Sequence, residues 1–355
     1  MIVTKASFSP YRLRLRRNWI SHSGVLRERR GWLISLQTDQ AAGVGDCAPL
    51  PSAGTETEAQ AQAWIERHGD HFCGREPAAL LHRLDHHPDI PPPAVRCGIE
   101  TALIDLLARA QGMNPARWLN PAAAEEVKVN ANLGALNETI LDRFDEATGF
   151  SVVKLKLGIG PIEHELRLLR GVAEHLPDGV SLRLDANRAW SREEATAWMC
   201  AIASLPIESI EEPLAEPDVE VLRQLQERTR IPLALDESLK GMNMDALLRD
   251  PPVKRLVLKP MVLGGLKPAL ELARRAYGAN MQVIVTSTLD SAVGVWAAAN
   301  LAAALGEPGA EQSHGLATSR WLAEDVAPAP EIVNGAITFR TVVSPKPRQA
   351  ETGNR

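Results

Sequence analysis

From Lys128 onward the chain repeats one unit. Apolar and polar residues alternate over a short run, a polar turn ends it, and a longer stretch with apolar residues at helical spacing follows. The short runs are VKVNANL, SVVKLKL, VSLRLD, IESIEE, IPLALD, VKRLVLK and MQVIVTS, with a shorter eighth near Glu311 to Gly315. Between them lie helical patterns such as EHELRLLRGVAEHL, REEATAWMCAIASL, DVEVLRQLQERT and LKPALELARRAYG. Strand and helix in alternation predict a parallel sheet with right-handed crossovers. Eight units of roughly 25 to 30 residues suit a (β/α) barrel better than an open doubly wound sheet. No glycine-rich phosphate loop follows the first strand, which weakens a nucleotide-binding alternative.

Residues 1–125 follow a different pattern. YRLRLRRNW and GWLISLQTD read as strands, GDCAPLPSAGTETEAQ as a loop leading into a helix, and VRCGIETALIDLLARAQG as a helix. That helix carries Ile99, Ala102, Leu103, Leu106 and Leu107 on one stripe. In RLRLRR, Arg12 to Arg17, leucines alternate with arginines, predicting a half-exposed strand with a basic outer face, with contact to an acidic ligand or partner as the alternative. The expected organisation is an α+β domain over 1–125, a barrel over 126–325, and a C-terminal segment over 326–355. In that last segment EIVNGAITFRTVV is a strand-turn-strand pattern able to return to the first domain, and the polar tail SPKPRQAETGNR is expected to be disordered.

Composition narrows the class. The chain has 355 residues, 45% hydrophobic and 23% charged, in the range of a soluble globular protein. There is no run of about 18 uncharged apolar residues and no signal-peptide pattern at the N-terminus, so no membrane partner and a cytoplasmic location are expected. The net charge of −5 carries no basic footprint for nucleic acid. Cys47, Cys73, Cys97 and Cys200 form no zinc-type spacing and read as reduced, packed thiols. His82, His86 and His87 fall outside the barrel region and read as surface residues.

In a parallel barrel, alternate side chains face the lumen and chemistry sits at the C-terminal ends of the strands. Leu182 and Leu184 put Asp185 on the opposite face, with Arg183 in the same phase. Leu233 and Leu235 do the same for Asp236, and Leu256 and Leu258 for Lys259. In IESIEE either Glu211 or Glu212 could be the last strand residue. Ile210 matches the outward leucines, which makes Glu211 the better lumen candidate. Lys154 and Lys156 complete a series of five neighbouring strands ending in Lys, Asp, Glu, Asp and Lys.

One lumen-facing charge would mean little, since polar strand ends commonly meet water or cap helices. Five in one phase make a buried charge cluster, which is unfavourable without partners. A divalent cation answers this. Asp185, Glu211 and Asp236 can each give one oxygen to an octahedral hard ion, and the absence of His and Cys favours Mg²⁺, with Mn²⁺ a workable substitute. A lysine beside that cation and a second ammonium is expected to have a lowered pKa, suited to a general base. The plain alternative is that the lysines only neutralise the carboxylates.

The ordered set KLK, LDANRAW, IEEP, LDES and LKP resembles the enolase superfamily in its muconate-lactonizing branch, and within it the o-succinylbenzoate synthase family. GDCAPLPSAGTET is similar to that family's capping loop, and HGLATSRWLAEDV to its eighth-strand segment, with Ala317 in place of the usual second glycine. The resemblance implies an α/β fold, a modified TIM barrel of the (β/α)7β kind with an N-terminal α+β capping domain. It also implies Mg²⁺-dependent dehydration of a succinyl-bearing carboxylic acid. Carried over, it makes Lys156 the base, Lys259 the second catalytic lysine, and Asp185, Glu211 and Asp236 the metal ligands. Asn187 and Glu237 take supporting positions, and Lys154 tunes the base or meets the substrate carboxylate. Ser287, Ser291 and Gly315 lie where substrate would bind, the two hydroxyls meeting the succinyl carboxylate at a helix N-terminus. Asp290 stands where the family often has Glu, with helix capping the equal alternative. An N-succinylamino acid racemase or other epimerase, a cycloisomerase, and a non-catalytic barrel binding a metal or a small acid are the rival readings. No DxD occurs in HGLATS, which counts against a dipeptide epimerase.

Overall fold

Two long strands, β1 (Lys5–Ser21) and β2 (Gly24–Gln37), pair antiparallel, and β3 (Ala42–Cys47) extends the sheet from β2. The computed structural model describes residues 1–22, 24–84 and 90–339. Along β1 Leu13 is buried while Arg12, Arg14 and Arg16 are exposed, the basic outer face expected from RLRLRR. Helix α1 (Glu58–His68) starts in a capping box between Thr57 and Gln60. It is followed by α2 (Pro77–Arg83), α3 (Pro93–Ala110) and α4 (Pro115–Leu119). The stripe expected on α3 widens to burial on nearly every face, because the helix lies between the N-terminal sheet and the barrel's helices. Contact with β3 is so close that a side chain at Gly45 would strike the Gly98 carbonyl, and one at Gly43 that of Ala102.

VKVNANL divides in two: β4 (Glu126–Lys128) stands apart, and β5 (Ala131–Ala135) opens the barrel sheet. Then come β6 (Val152–Lys156), β7 (Ser181–Asp185), β8 (Ile207–Glu211), β9 (Leu233–Leu235), β10 (Arg255–Leu258) and β11 (Gln282–Val285). These seven strands are parallel and in sequential order. The eighth position is held by isolated bridges, Val129 to His314 and Thr286 to Gly315. Helices α5 (Ile162–Glu174), α6 (Arg192–Ala201), α7 (Val219–Arg228), α8 (Met244–Arg249), α9 (Pro260–Leu263), α10 (Leu266–Gly278) and α11 (Ala292–Ala304) alternate with the strands. This is the modified TIM barrel with an N-terminal cap that the alternation and the resemblance imply.

Phase decides which residues enter the lumen. Leu233, Leu235, Leu256, Leu258, Val283 and Val285 join the main core shared with the helices, whereas Ala234, Val257 and Ile284 form a separate buried cluster. The second cluster is the inner face of three adjacent strands.

Beyond the barrel, the Ala323 N–H donates to the Arg14 carbonyl at 2.9 Å, and Ala327 packs near Leu33 and Val44 of the cap. The final strand, β12 (Ala336–Thr338), pairs with β4 and not with the cap's sheet. That pairing withdraws Glu126–Lys128 from the barrel and explains the division of VKVNANL. The tail SPKPRQAETGNR, with His86 and His87, lies outside the described residues. His82 is exposed on α2. All four cysteines are free. Cys47 and Cys97 are buried, but Cys73 and Cys200 are exposed, which corrects the expectation of packed thiols for that pair. Among the described residues no helix is long and apolar enough to cross a membrane.

Candidate active site

The C-terminal end of β6 is pinned from the following helix. Glu165 of α5 is buried, and its carboxylate accepts the N–H groups of Gly158, Ile159 and Gly160 at 2.9, 2.9 and 3.0 Å. The turn is therefore held by an acid in the first turn of α5, a position that also suits the helix dipole. Lys156, two residues before this turn, is 5 % exposed, and Lys154 shares its face.

Across the sheet, Lys156 stands opposite Asp185, and Asp185 opposite Glu211. Asp236 follows β9 and Lys259 follows β10. The five expected charges therefore meet at one end of the lumen. Lys156 Nζ lies 2.9 Å from Asp185 Oδ2 and 2.5 Å from Asn187 Oδ1. Lys154 Nζ lies 3.0 Å from Asp185 Oδ2 and also contacts Glu211 Oε2. Lys259 Nζ lies 2.5 Å from Asp236 Oδ2.

Burial and charge pull these groups in opposite directions. Burial raises the Asp185 pKa, but Lys154 and Lys156 outweigh it and hold the carboxyl below its usual range. Burial raises Glu211, helped by repulsion from Asp185 and Asp236 and opposed by Lys154. Asp236 is also raised by burial, against the pull of Lys259. For Lys154 and Lys259 burial favours the neutral amine, yet the neighbouring carboxylates win and both pKa values rise. Each of these two lysines faces carboxylates at contact distance, whereas the lowering expected from the sequence belongs to a lysine beside a bound cation.

Arg183 sits one layer lower. Its guanidinium pairs with Glu208 at 3.0 and 3.1 Å, and Nη1 donates to Asn130 Oδ1 and the Ser313 carbonyl. Only its Nε approaches the site, 3.9 Å from Glu211 Oε1. Glu208 also contacts Arg255 Nη1 at 2.5 Å. Those arginines depress its pKa to about 2 against the opposing effect of burial. Glu208 is the extra residue where the β7–β8 register shifts between Leu182–Ile207 and Arg183–Ser209, which is why the phase of IESIEE was ambiguous.

The remaining expected residues separate. Asn187 has φ 46°, its N–H bonds Asp185 Oδ1 at 3.0 Å, and its side-chain amide reaches Glu237 at 3.4 Å. Both residues line the cleft, as does Ser287, whose hydroxyl is 2.5 Å from that of Thr318. Gly315 contributes backbone, accepting the Ser287 N–H at 3.3 Å. Ser291 is fully buried and donates through both N–H and Oγ to Asp46 of β3, at 3.0 and 2.8 Å. The Ala292 N–H donates to Asp325. The N-terminus of α11, expected to meet a substrate carboxylate, is thus already filled by carboxylates of the chain itself. Asp290 accepts from the Thr288 hydroxyl and does not receive these helix N–H groups.

Two further residues matter that the alternation pattern did not reveal. Glu212, at φ 46°, accepts the N–H of Asp236 at 2.5 Å and of Ser238 at 3.0 Å, fixing the loop that presents Asp236. The acidic doublet in IEEP was its only sequence signal. Trp19, near the end of β1, brings its ring within 5.2 Å of Lys156 Nζ and packs edge-on against Trp321. The cleft, about 690 Å³ of empty space to its mouth, is walled by this cap strand, by Leu50, Ser52 and Ala53, and by the strand ends.

The donor set suits a hard divalent cation: three carboxylates on consecutive strands, with no sulfur or imidazole among them. Among the described residues, however, no three His, Cys, Asp or Glu side chains converge as a ready ligand set. One oxygen of each of the three carboxylates is held by a lysine ammonium: Asp185 Oδ2, Glu211 Oε2 and Asp236 Oδ2.

Residues 139–345 match the Enolase C-terminal domain-like family, and residues 3–106 match the family described as MenC, N-terminal domain. The o-succinylbenzoate synthase of Pasteurella multocida (strain Pm70) is 26% identical over 318 residues, covering 85% of this chain and 86% of that one. That of Pectobacterium atrosepticum is 29% identical over 281 residues, covering 78% and 79%. Among solved structures, the dipeptide epimerase of Methylococcus capsulatus, complexed with Mg and a dipeptide, has a TM-score of 0.86 at 26% identity, covering 98% of each chain.

Proposed function

Because the chain belongs to the enolase superfamily through its Enolase C-terminal domain-like region, we propose that it is an o-succinylbenzoate synthase. It would dehydrate 2-succinyl-6-hydroxy-2,4-cyclohexadiene-1-carboxylate to 2-succinylbenzoate, a step of menaquinone or phylloquinone biosynthesis. The observation that carries this reading is the pair Lys156 and Lys259 on either side of Asp185, Glu211 and Asp236 at the strand ends. The relatives named o-succinylbenzoate synthase over four fifths of the chain support the choice of substrate.

Asp185, Glu211 and Asp236 would hold Mg²⁺, which when bound supplies positive charge to the substrate carboxylate. Lys156 takes the proton alpha to that carboxylate, with Asn187 and Asp185 orienting its Nζ. Lys259 places its ammonium against the enediolate that results. The substrate hydroxyl then leaves as water on the same face, taking a proton from Lys156, and aromatisation drives the step. Trp19 and the cap loop line this end of the cleft beside Lys156.

Two lysines on opposite sides of a carbon acid also suit racemisation, so an N-succinylamino acid racemase is the second reading. An assay of the cyclohexadiene acid beside N-succinylamino acids decides between them by kcat/KM. Turnover of neither, with metal present, overturns both.

A further inference from the structure

Arg29 lies on β2 of the cap and is 2 % exposed, yet it forms no ion pair among the described residues. Asp46 and Asp290 are near enough for its charge to lower their pKa values, but neither receives its hydrogen bonds. Its donors go instead to three main-chain carbonyls: Nε to Leu289 at 3.1 Å, Nη1 to Pro49 at 2.8 Å and Nη2 to Ala48 at 2.7 Å. Two of these precede Leu50 in the cap loop. The third belongs to the loop after β11 in the barrel. Leu50 and Leu289 both line the cleft that holds Lys156 and Lys259. Leu289 is held at φ 60°, a backbone region leucine disfavours and keeps only when its surroundings impose it.

A buried guanidinium spent on carbonyls of two separate loops acts as a spacer between them. Its planar fork fixes the directions of several acceptors in one plane, whereas the three donors of an ammonium rotate about a flexible stem. We propose that Arg29 is a positioning residue for substrate specificity. It sets the apolar wall made by Leu50 and Leu289, against which the non-reacting body of the substrate packs while the reacting carbon faces the lysines. The substrate class rests on the function proposed above; the geometry of the wall does not.

The test compares wild type, Arg29→Met and Arg29→Lys on the cyclohexadiene acid and on an N-succinylamino acid, with unfolding temperature measured for each. Arg29→Met is expected to raise KM for the preferred substrate about tenfold, change kcat much less, and narrow the preference between the two substrates. Arg29→Lys recovers part of the loss. In a Leu50→Ala, Leu289→Ala background the same substitution at position 29 has no further effect on KM. An unchanged substrate ratio in Arg29→Met, or a full additive effect in the leucine double variant, overturns the proposal. If Arg29→Met does not fold, Arg29→Lys carries the same cycle. If wild type turns over neither substrate, the functional reading fails by itself. Amide hydrogen exchange then decides the positioning claim. Faster exchange over 48–50 and 287–291 in Arg29→Lys, at unchanged unfolding temperature, supports it; unchanged exchange there overturns it.

Discussion

Asp185 and Glu211 face each other across β7 and β8, and the single ammonium of Lys154 contacts both. On the function proposed above those carboxylates would also hold the metal, so lysine and cation would compete for them. Removing Lys154 leaves buried Glu211 with only the Arg183 Nε at 3.9 Å, while Asp185 keeps Lys156. Lys154→Met therefore loses about 3 kcal/mol of stability in chelator. Mg²⁺ at a hundredfold over its Kd restores about 2.7 kcal/mol. Thermal unfolding of both proteins with EDTA and with Mg²⁺ reads this directly, and a melting temperature indifferent to metal in both would remove the cation from the site.

Lys156 is the deeper of the two β6 lysines, and its Nζ also bonds Asn187. Lys156→Ala leaves Asp185 paired with Lys154, so the fold persists while proton abstraction stops. The expected loss in kcat is at least about a hundredfold, accompanied by loss of solvent deuterium entering recovered substrate. Retention of that exchange assigns the base elsewhere.

His314 couples the barrel's closure to pH. Its Nδ1 accepts the Val285 N–H at 2.9 Å, leaving Nε2 to donate to the Gly309 carbonyl at 3.0 Å. Burial pushes its pKa from 6.5 down to about 4. The unfolded chain therefore takes up the proton first. Stability contributed by neutral His314 is whole above pH ~6.5 and falls by about 3 kcal/mol as pH drops toward 4. Denaturant titrations of both proteins across that range should show wild type losing about that much relative to His314→Gln, and equal slopes would deny His314 the effect.

Asp46 of the cap accepts the N–H and hydroxyl of Ser291, just before α11, and the Tyr11 hydroxyl at 2.7 Å. Asp46→Ala leaves the Ser291 N–H and hydroxyl and the Tyr11 hydroxyl without their acceptor. A loss of about 2 kcal/mol is expected. Equilibrium unfolding by urea measures it, and a change within a few tenths would deny Asp46 its part in joining cap to barrel.

Much of the barrel was legible because alternation is a geometric constraint. Leucine at 182, 184, 233, 235, 256 and 258 forces Asp185, Asp236 and Lys259 to the other face, whatever else the sequence does. The phase blurred only in IESIEE, where a bulge at Glu208 changes the count and no residue type announces it, and Ile210 still set Glu211 on the lumen side. Other features depend on distant pairing. Glu126–Lys128 looked like part of the first barrel strand but is taken by Ala336–Thr338. Trp19 enters the cleft because two long strands carry it over the barrel mouth, and nothing local to RRNWI specifies that reach. Ser291 looked free to bind an anion because its partner, Asp46, lies in another domain.

That last pairing has a counterpart. Glu100 of α3 accepts the Lys267 N–H at the start of α10, as Asp46 does the Ser291 N–H before α11. The acids precede the amides they satisfy by 167 and 245 residues. During synthesis the cap leaves the ribosome first, carrying carboxylates whose partners do not yet exist. The last two helices of the barrel then close onto a surface prepared for them, by contacts of very long sequence separation that slow folding. A barrel expressed without its cap would lack those acids at both helix starts. The two parts therefore melt in one transition, and a cap exchanged for that of a distant relative must bring matching acids with it.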